Sequence, residues 1–217
     1  MQMPGCPELT TFFSQEHGER FRSALPTLRE QLAVTPFGER DDHFGVAGNT
    51  FRAFRNHQVQ PSVAYREWAK QICDHLDPRS LAHSLNEASA FSIWHSALAE
   101  SLQTHWRSRQ GAELSFAHLH KVIDLFVKWL SKHDFNQPRL TEAFVAHGNC
   151  ALDSQSLTTI NECLSLALPL TNPSMGDIHN RMTYDFCQGL ITSFAHRFGG
   201  TRLLFDHYAW KYGKLSQ

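Results

Sequence analysis

A chain of 217 residues with 41% hydrophobic and 19% charged side chains can bury a core and is too apolar for disorder, so it reads as one globular domain that needs no staple. Five scattered cysteines (Cys6, Cys73, Cys150, Cys163, Cys187) form no Cys-x-x-Cys pair, which argues against a disulfide framework and for a reducing, cytoplasmic setting. The formal net charge is −1; no stretch approaches the roughly 18 apolar residues of a membrane span, and the first residues lack a charged start followed by an apolar run, so neither a membrane partner nor a signal peptide is expected.

Residues 1–50 read as an N-terminal helical segment followed by a long polar loop containing Pro36, Gly38, Gly45, Gly48 and Asn49. Acid predominates there, with Glu8, Glu16, Glu19, Glu30, Glu39, Asp41 and Asp42 set against Arg20, Arg22, Arg29 and Arg40. Residues 51–217 read as the main helical body. Apolar residues recur at helical spacing in Val63, Ala64, Trp68, Ile72 and Cys73, then in Ile93, Trp94, Ala97, Leu98 and Leu102. The strongest stripe, Leu119, Val122, Ile123, Phe126, Val127 and Leu130, predicts a helix from about Ser115 to Ser131. Pro138 suits a first helical turn, where its missing N–H costs nothing. His147–Cys150 reads as a turn, with Asp153 as the cap of the helix that follows. Thr171–Ser174 separates the last long helix, which stops at Gly199-Gly200 before a short segment through Phe205–Tyr212. Sustained period-2 alternation is nearly absent, so the expected fold class is all-α: a single compact multi-helix domain.

Two charged residues stand where chemistry can be done. Lys121 opens the most apolar helix, three residues before Asp124 and seven before Lys128. A lysine there is either a surface side chain covering apolar neighbours with its stem or an amine nucleophile at the mouth of a pocket of low dielectric. Asp153, as a helix cap, accepts backbone N–H bonds at the positive helix end. That role is structural, yet it also fixes a carboxylate rigidly enough to stabilise a positively charged sugar as a glycosidic bond breaks. Further along, Asp206 and Trp210 lie four apart and face one way on a helix.

The pair Lys121 and Asp153, followed by Asp206 and Trp210, resembles the helix-hairpin-helix DNA glycosylases, and within them the AGOG-like branch, the archaeal-type 8-oxoguanine DNA glycosylases. The resemblance covers roughly Phe116 to Trp210. In place of the family's glycine-rich hairpin, the segment before the lysine runs from Gly111 through Glu113 and Ser115 to His120. The resemblance implies a monomeric enzyme without cofactor or metal. It would flip a modified base out of double-stranded DNA and cut its sugar bond, in repair of damage or in defence against modified viral DNA. Lys121 and Asp153 would be catalytic, and Asp206 and Trp210 would bind the base.

The middle of the chain is locally basic, with Arg107, Arg109, Lys121, Lys128, Lys132 and Arg139 against Glu113, Asp124 and Asp134. Arg107, Arg109 and Lys128 are therefore the candidate DNA-phosphate contacts. A rival constellation, His118, His120, His147 and Cys150, could supply four zinc ligands, although fourteen histidines in one chain make chance pairs common. The alternative from another class is a non-enzymatic helical interaction or scaffold protein, which suits the near-zero net charge. No Walker loop, GxGxxG, GxSxG or HExxH occurs, which weighs against nucleotide-dependent enzymes, α/β-hydrolases and zincin-type proteases.

Overall fold

A computed structural model describes residues 9–39, 41–54, 57–166, 168 and 171–213. Cys6, Glu8 and Arg40, named above, lie outside the described residues. The chain is all-α: nine α-helices, four short 3-10 turns and one pair of two-residue strands account for the regular structure among the described residues. No helix among them is long and apolar enough to cross a membrane.

The helices divide into two compact units, one comprising residues 1–30 and 149–217 and the other residues 31–148. Residues 1–50, read from the sequence as one segment, thus contribute 1–30 to the first unit and 31–50 to the second.

The first unit joins the N-terminal helix α1 (Gln15–Arg29) to α7 (Ser154–Cys163), α8 (Arg181–Arg197) and α9 (Arg202–Tyr212). Ser14 caps α1, its hydroxyl accepting from the His17 amide, and the Ser14 N–H donates to the Cys163 carbonyl at the end of α7 (2.9 Å). One side of α1 carries the exposed ion pairs Glu16–Arg20 and Glu19–Arg22. The other buries Phe21, Leu25 and Leu28, each burial favouring the fold by about 1.5–3 kcal/mol. Phe21 meets Phe194 of α8 and Phe205 and Tyr208 of α9, with ring centroids 5.2–6.0 Å apart. Gly18 is required by a close approach, since a Cβ there would lie 2.0 Å from the Phe198 ring.

The second unit holds α2 (Pro61–His75), α3 (Pro78–Ser84), α4 (Ala88–Gln110), α5 (Phe116–Leu130) and α6 (Pro138–His147). A parallel pair of two-residue strands, β1 (Thr35–Pro36) and β2 (His133–Asp134), sets Thr35 beside His133 and Pro36 beside Asp134. The strongest sequence stripe becomes α5 with Ser115 as its cap and Ser131 at its end. Its apolar face packs into a core that includes Trp68, Leu102, Trp106 and Phe144. Gly111 ends α4 at φ +67°, the left-handed conformation that favours glycine at such ends.

The stretch read as a long polar loop is tied down on α5. Phe44 and Val46 are buried, the Tyr65 hydroxyl donates to the Phe44 carbonyl (2.6 Å), and the Trp129 indole N–H reaches Asp41 (3.4 Å). Between the two apolar anchors Gly45 takes φ +78°, and a Cβ there would lie 2.3 Å from that of Trp129. Pro138 opens α6, and Gly199-Gly200 separates α8 from α9, as read from the sequence. The separator Thr171–Ser174 leads first into the 3-10 turn Met175–Asp177, capped by Ser174, with α8 following from Arg181.

Candidate functional site

Lys121 lies in the second turn of α5, half-buried, among groups of unusual polarity for so apolar a helix. His118 pairs its Nδ1 with the Ser115 hydroxyl (2.7 Å) and packs its ring on Phe54 (4.4 Å between centroids). Burial, and then the positive charge of Lys121, hold the His118 imidazole below its ordinary pKa. His120 is buried, its ring 4.2 Å from that of Phe116 and stacked at 5.9 Å on His95 of α4. One turn beyond Lys121, Asp124 is fully buried and its Oδ1 lies 2.8 Å from the Nε2 of His95, itself buried. This His95–Asp124 pair is not evident in the sequence spacing. Its signal is one carboxylate set between Val122, Ile123, Phe126 and Val127, since burying it demands a hydrogen-bonding partner. Nothing in the local spacing names a histidine 29 residues away.

Asp153, in the first unit, caps α7 as its position predicts. Its carboxylate accepts from the Ser156 amide (3.0 Å), while the Ser156 hydroxyl accepts from the Asp153 amide (2.9 Å), a reciprocal box that fixes both. The residue is 5% exposed. Cys150 and Ala151, just before it, are bonded as fully. Gln188 of α8 receives the Cys150 N–H on its oxygen (3.1 Å) and donates its amide to the Cys150 carbonyl (2.7 Å). The Ala151 N–H donates to the Asp206 carboxylate (2.8 Å), and the Ala151 carbonyl accepts from the Ser156 hydroxyl (2.9 Å). Side chains from α7, α8 and α9 therefore hold one backbone segment and deliver Asp153 at its end.

This alters the assignment of Asp206. Expected to read a base edge, it is fully buried, and one of its oxygens is engaged by the Ala151 backbone. Such an amide left alone in the core would cost about 1–3 kcal/mol, so the carboxylate acts as a brace of the loop. Trp210, one turn further on α9, is 44% exposed, because the helix emerges from the core toward its C-terminal end.

The candidate phosphate contacts are solvent-facing or nearly so. Arg107 pairs with Glu113, and Arg109 is gripped by both oxygens of Glu67 (2.8 and 3.0 Å). Exposed pairs of this kind add roughly 0–1 kcal/mol, little enough for a phosphate to compete. Lys128, in the last turn of α5, is half-buried. Among the described residues no group of three or more histidine, cysteine or acidic side chains is arranged to hold a metal ion; the constellation of His118, His120, His147 and Cys150 is not assembled. Cys73, Cys150, Cys163 and Cys187 are buried free thiols. Burial pushes the Cys163 and Cys187 thiols up, away from the reactive thiolate. Compared with known proteins, the chain matches no family model, no curated protein and no solved structure.

Proposed function

We propose that the chain is a DNA glycosylase that excises a modified base from the duplex, with Asp153 as the carboxylate that steadies the sugar and Lys121 as the attacking amine. The observation that carries this reading is the Asp153 loop. Its rigid, buried carboxylate stands at the positive end of α7, held by side chains of three helices. Charge fixed in advance is what an oxocarbenium-like transition state exploits, because no reorganisation is needed as the bond breaks.

In the proposed reaction the target nucleotide is extruded, which costs a few kcal/mol and favours damaged or abnormally paired bases. The Lys121 amine adds to the sugar C1′ as the base departs with the electrons of the glycosidic bond, and a proton lost from the amine passes to the base. The adduct opens to an imine, which water hydrolyses to an abasic site. Asp153 stabilises the positive charge that develops on the sugar. The exposed indole of Trp210 offers a stacking surface, and Arg107, Arg109 and Lys128 meet phosphates.

The test uses duplexes carrying single modified bases, 8-oxoguanine first, together with phage DNA of hypermodified bases. Free base released and alkali-labile sites formed are measured. Asp153→Asn should lower release at least about 100-fold while leaving the thermal melt nearly unchanged, because asparagine caps a helix about as well. Borohydride should trap an enzyme–DNA adduct that Lys121→Gln abolishes. Wild-type protein that frees no base from any of these substrates sinks the proposal.

One observation favours a second reading, a helical interaction protein. Met182 and Phe186, one turn apart on α8, are 78% and 58% exposed, an apolar pair suited to a partner's surface. Under that reading, replacing both with glutamine abolishes partner binding and Asp153→Asn does not.

A further inference from the structure

A groove of about 690 Å³ opens in the first unit, lined from α1, α7 and α9, a volume typical of small-molecule sites. Its walls carry three carboxylates, Glu16, Glu19 and Glu162, against one guanidinium, Arg20. The two carboxylates of α1 are occupied at the surface, Glu16 by Arg20 and Glu19 by Arg22 and Gln15. Glu162, half-buried on the last turn of α7, has no ion pair or side-chain hydrogen bond among the described residues. A second group open to a ligand lines the same groove. Tyr208 of α9 is 4% exposed, its ring packed against Phe21, Phe205 and Tyr212. Its hydroxyl nevertheless has no hydrogen-bond partner among the described residues and is not sealed in the core. The groove therefore presents one carboxylate and one phenol hydroxyl that are both open to a ligand.

We infer that this groove binds a linear polyamine, with one ammonium seated between the Glu162 carboxylate and the Tyr208 hydroxyl and a second reaching the Glu16–Glu19 rim. An ammonium has three N–H donors and no acceptor, and the carboxylate and the phenol oxygen accept two of them. Burial first, and then the neighbouring Cys163 and Glu162 working against Arg20, push the Tyr208 hydroxyl up to about 12. It therefore remains a neutral phenol and offers its lone pairs without adding charge. The exposed Glu16–Arg20 pair yields to a second ammonium at little cost. An anionic ligand would meet three carboxylates, and a wholly apolar one would leave Glu162 and Tyr208 unsatisfied.

The experiment titrates spermidine into the full-length protein without DNA, by calorimetry at moderate salt, with Mg²⁺ at equal concentration as a cation that offers no N–H. The wild type should bind one spermidine saturably, and Mg²⁺ should not displace it. Glu162→Gln should weaken binding about 10–100-fold, the worth of a charge-assisted bond, and Tyr208→Phe about 3–10-fold. Both variants keep their packing volume, and melts matching the wild type verify the fold. An absence of saturable binding, displacement by Mg²⁺, or wild-type affinity in either variant overturns the assignment. Because no DNA is present, the result bears on the groove alone and leaves base excision to its own test.

Discussion

His118 reports on Lys121 from three residues away. Its imidazole is held below the ordinary value by burial and by the lysine charge. In the window between that lowered value and about 6.5, the unfolded chain binds more protons than the folded one. The contribution of His118 to stability is therefore fully present above the window and is lost as pH falls through it. In an NMR titration, the His118 ring resonance should show its midpoint below the ordinary histidine value. Lys121→Gln should raise that midpoint only part of the way back, because burial, the larger cause, remains. A midpoint indifferent to the substitution would remove the lysine from the neighbourhood of the ring.

At the scale of elements, the Cys150–Asp153 segment joins stability to function. Asp206→Ala leaves the Ala151 amide without its acceptor and opens a void, at a cost of about 2–4 kcal/mol. Asp206→Asn, whose side-chain oxygen still accepts, should cost less than half as much in urea unfolding. If the brace positions Asp153, the alanine variant also loses base release while the asparagine variant keeps most of it. Much of this architecture is legible in the chain itself. A serine at each end of an unbroken apolar stripe marks α5, and the aspartate of Ala151-Leu152-Asp153-Ser154 marks the start of α7. What escapes such reading depends on distant partners. Asp206 and Trp210 look equivalent at a spacing of four, but only the core packed around α9 decides that one is buried and the other exposed. The stretch from Pro36 to Asn49 looks unstructured because its two buried anchors, Phe44 and Val46, are outnumbered by polar neighbours.

For the molecule as a whole, the grouping of residues 1–30 with 149–217 means that α1 completes a core built otherwise from the far end of the chain. Phe21, Leu25 and Leu28 are buried there, and removing Phe21 takes away the ring that meets Phe194, Phe205 and Tyr208 together. Deleting residues 1–30 should abolish amide-exchange protection across α7, α8 and α9 while leaving α2, α4 and α5 protected by their own core. Uniform loss of protection across both units would contradict the division. The same arrangement sets an order of events during synthesis. Residues 31–148 can fold as soon as they leave the ribosome, whereas α1, made first, must keep Phe21, Leu25 and Leu28 uncovered until α9 emerges. Pausing translation within α8 would therefore prolong the exposure of an amphipathic helix that has nowhere to dock, and chaperone dependence should follow the speed at which the codons of α8 and α9 are read.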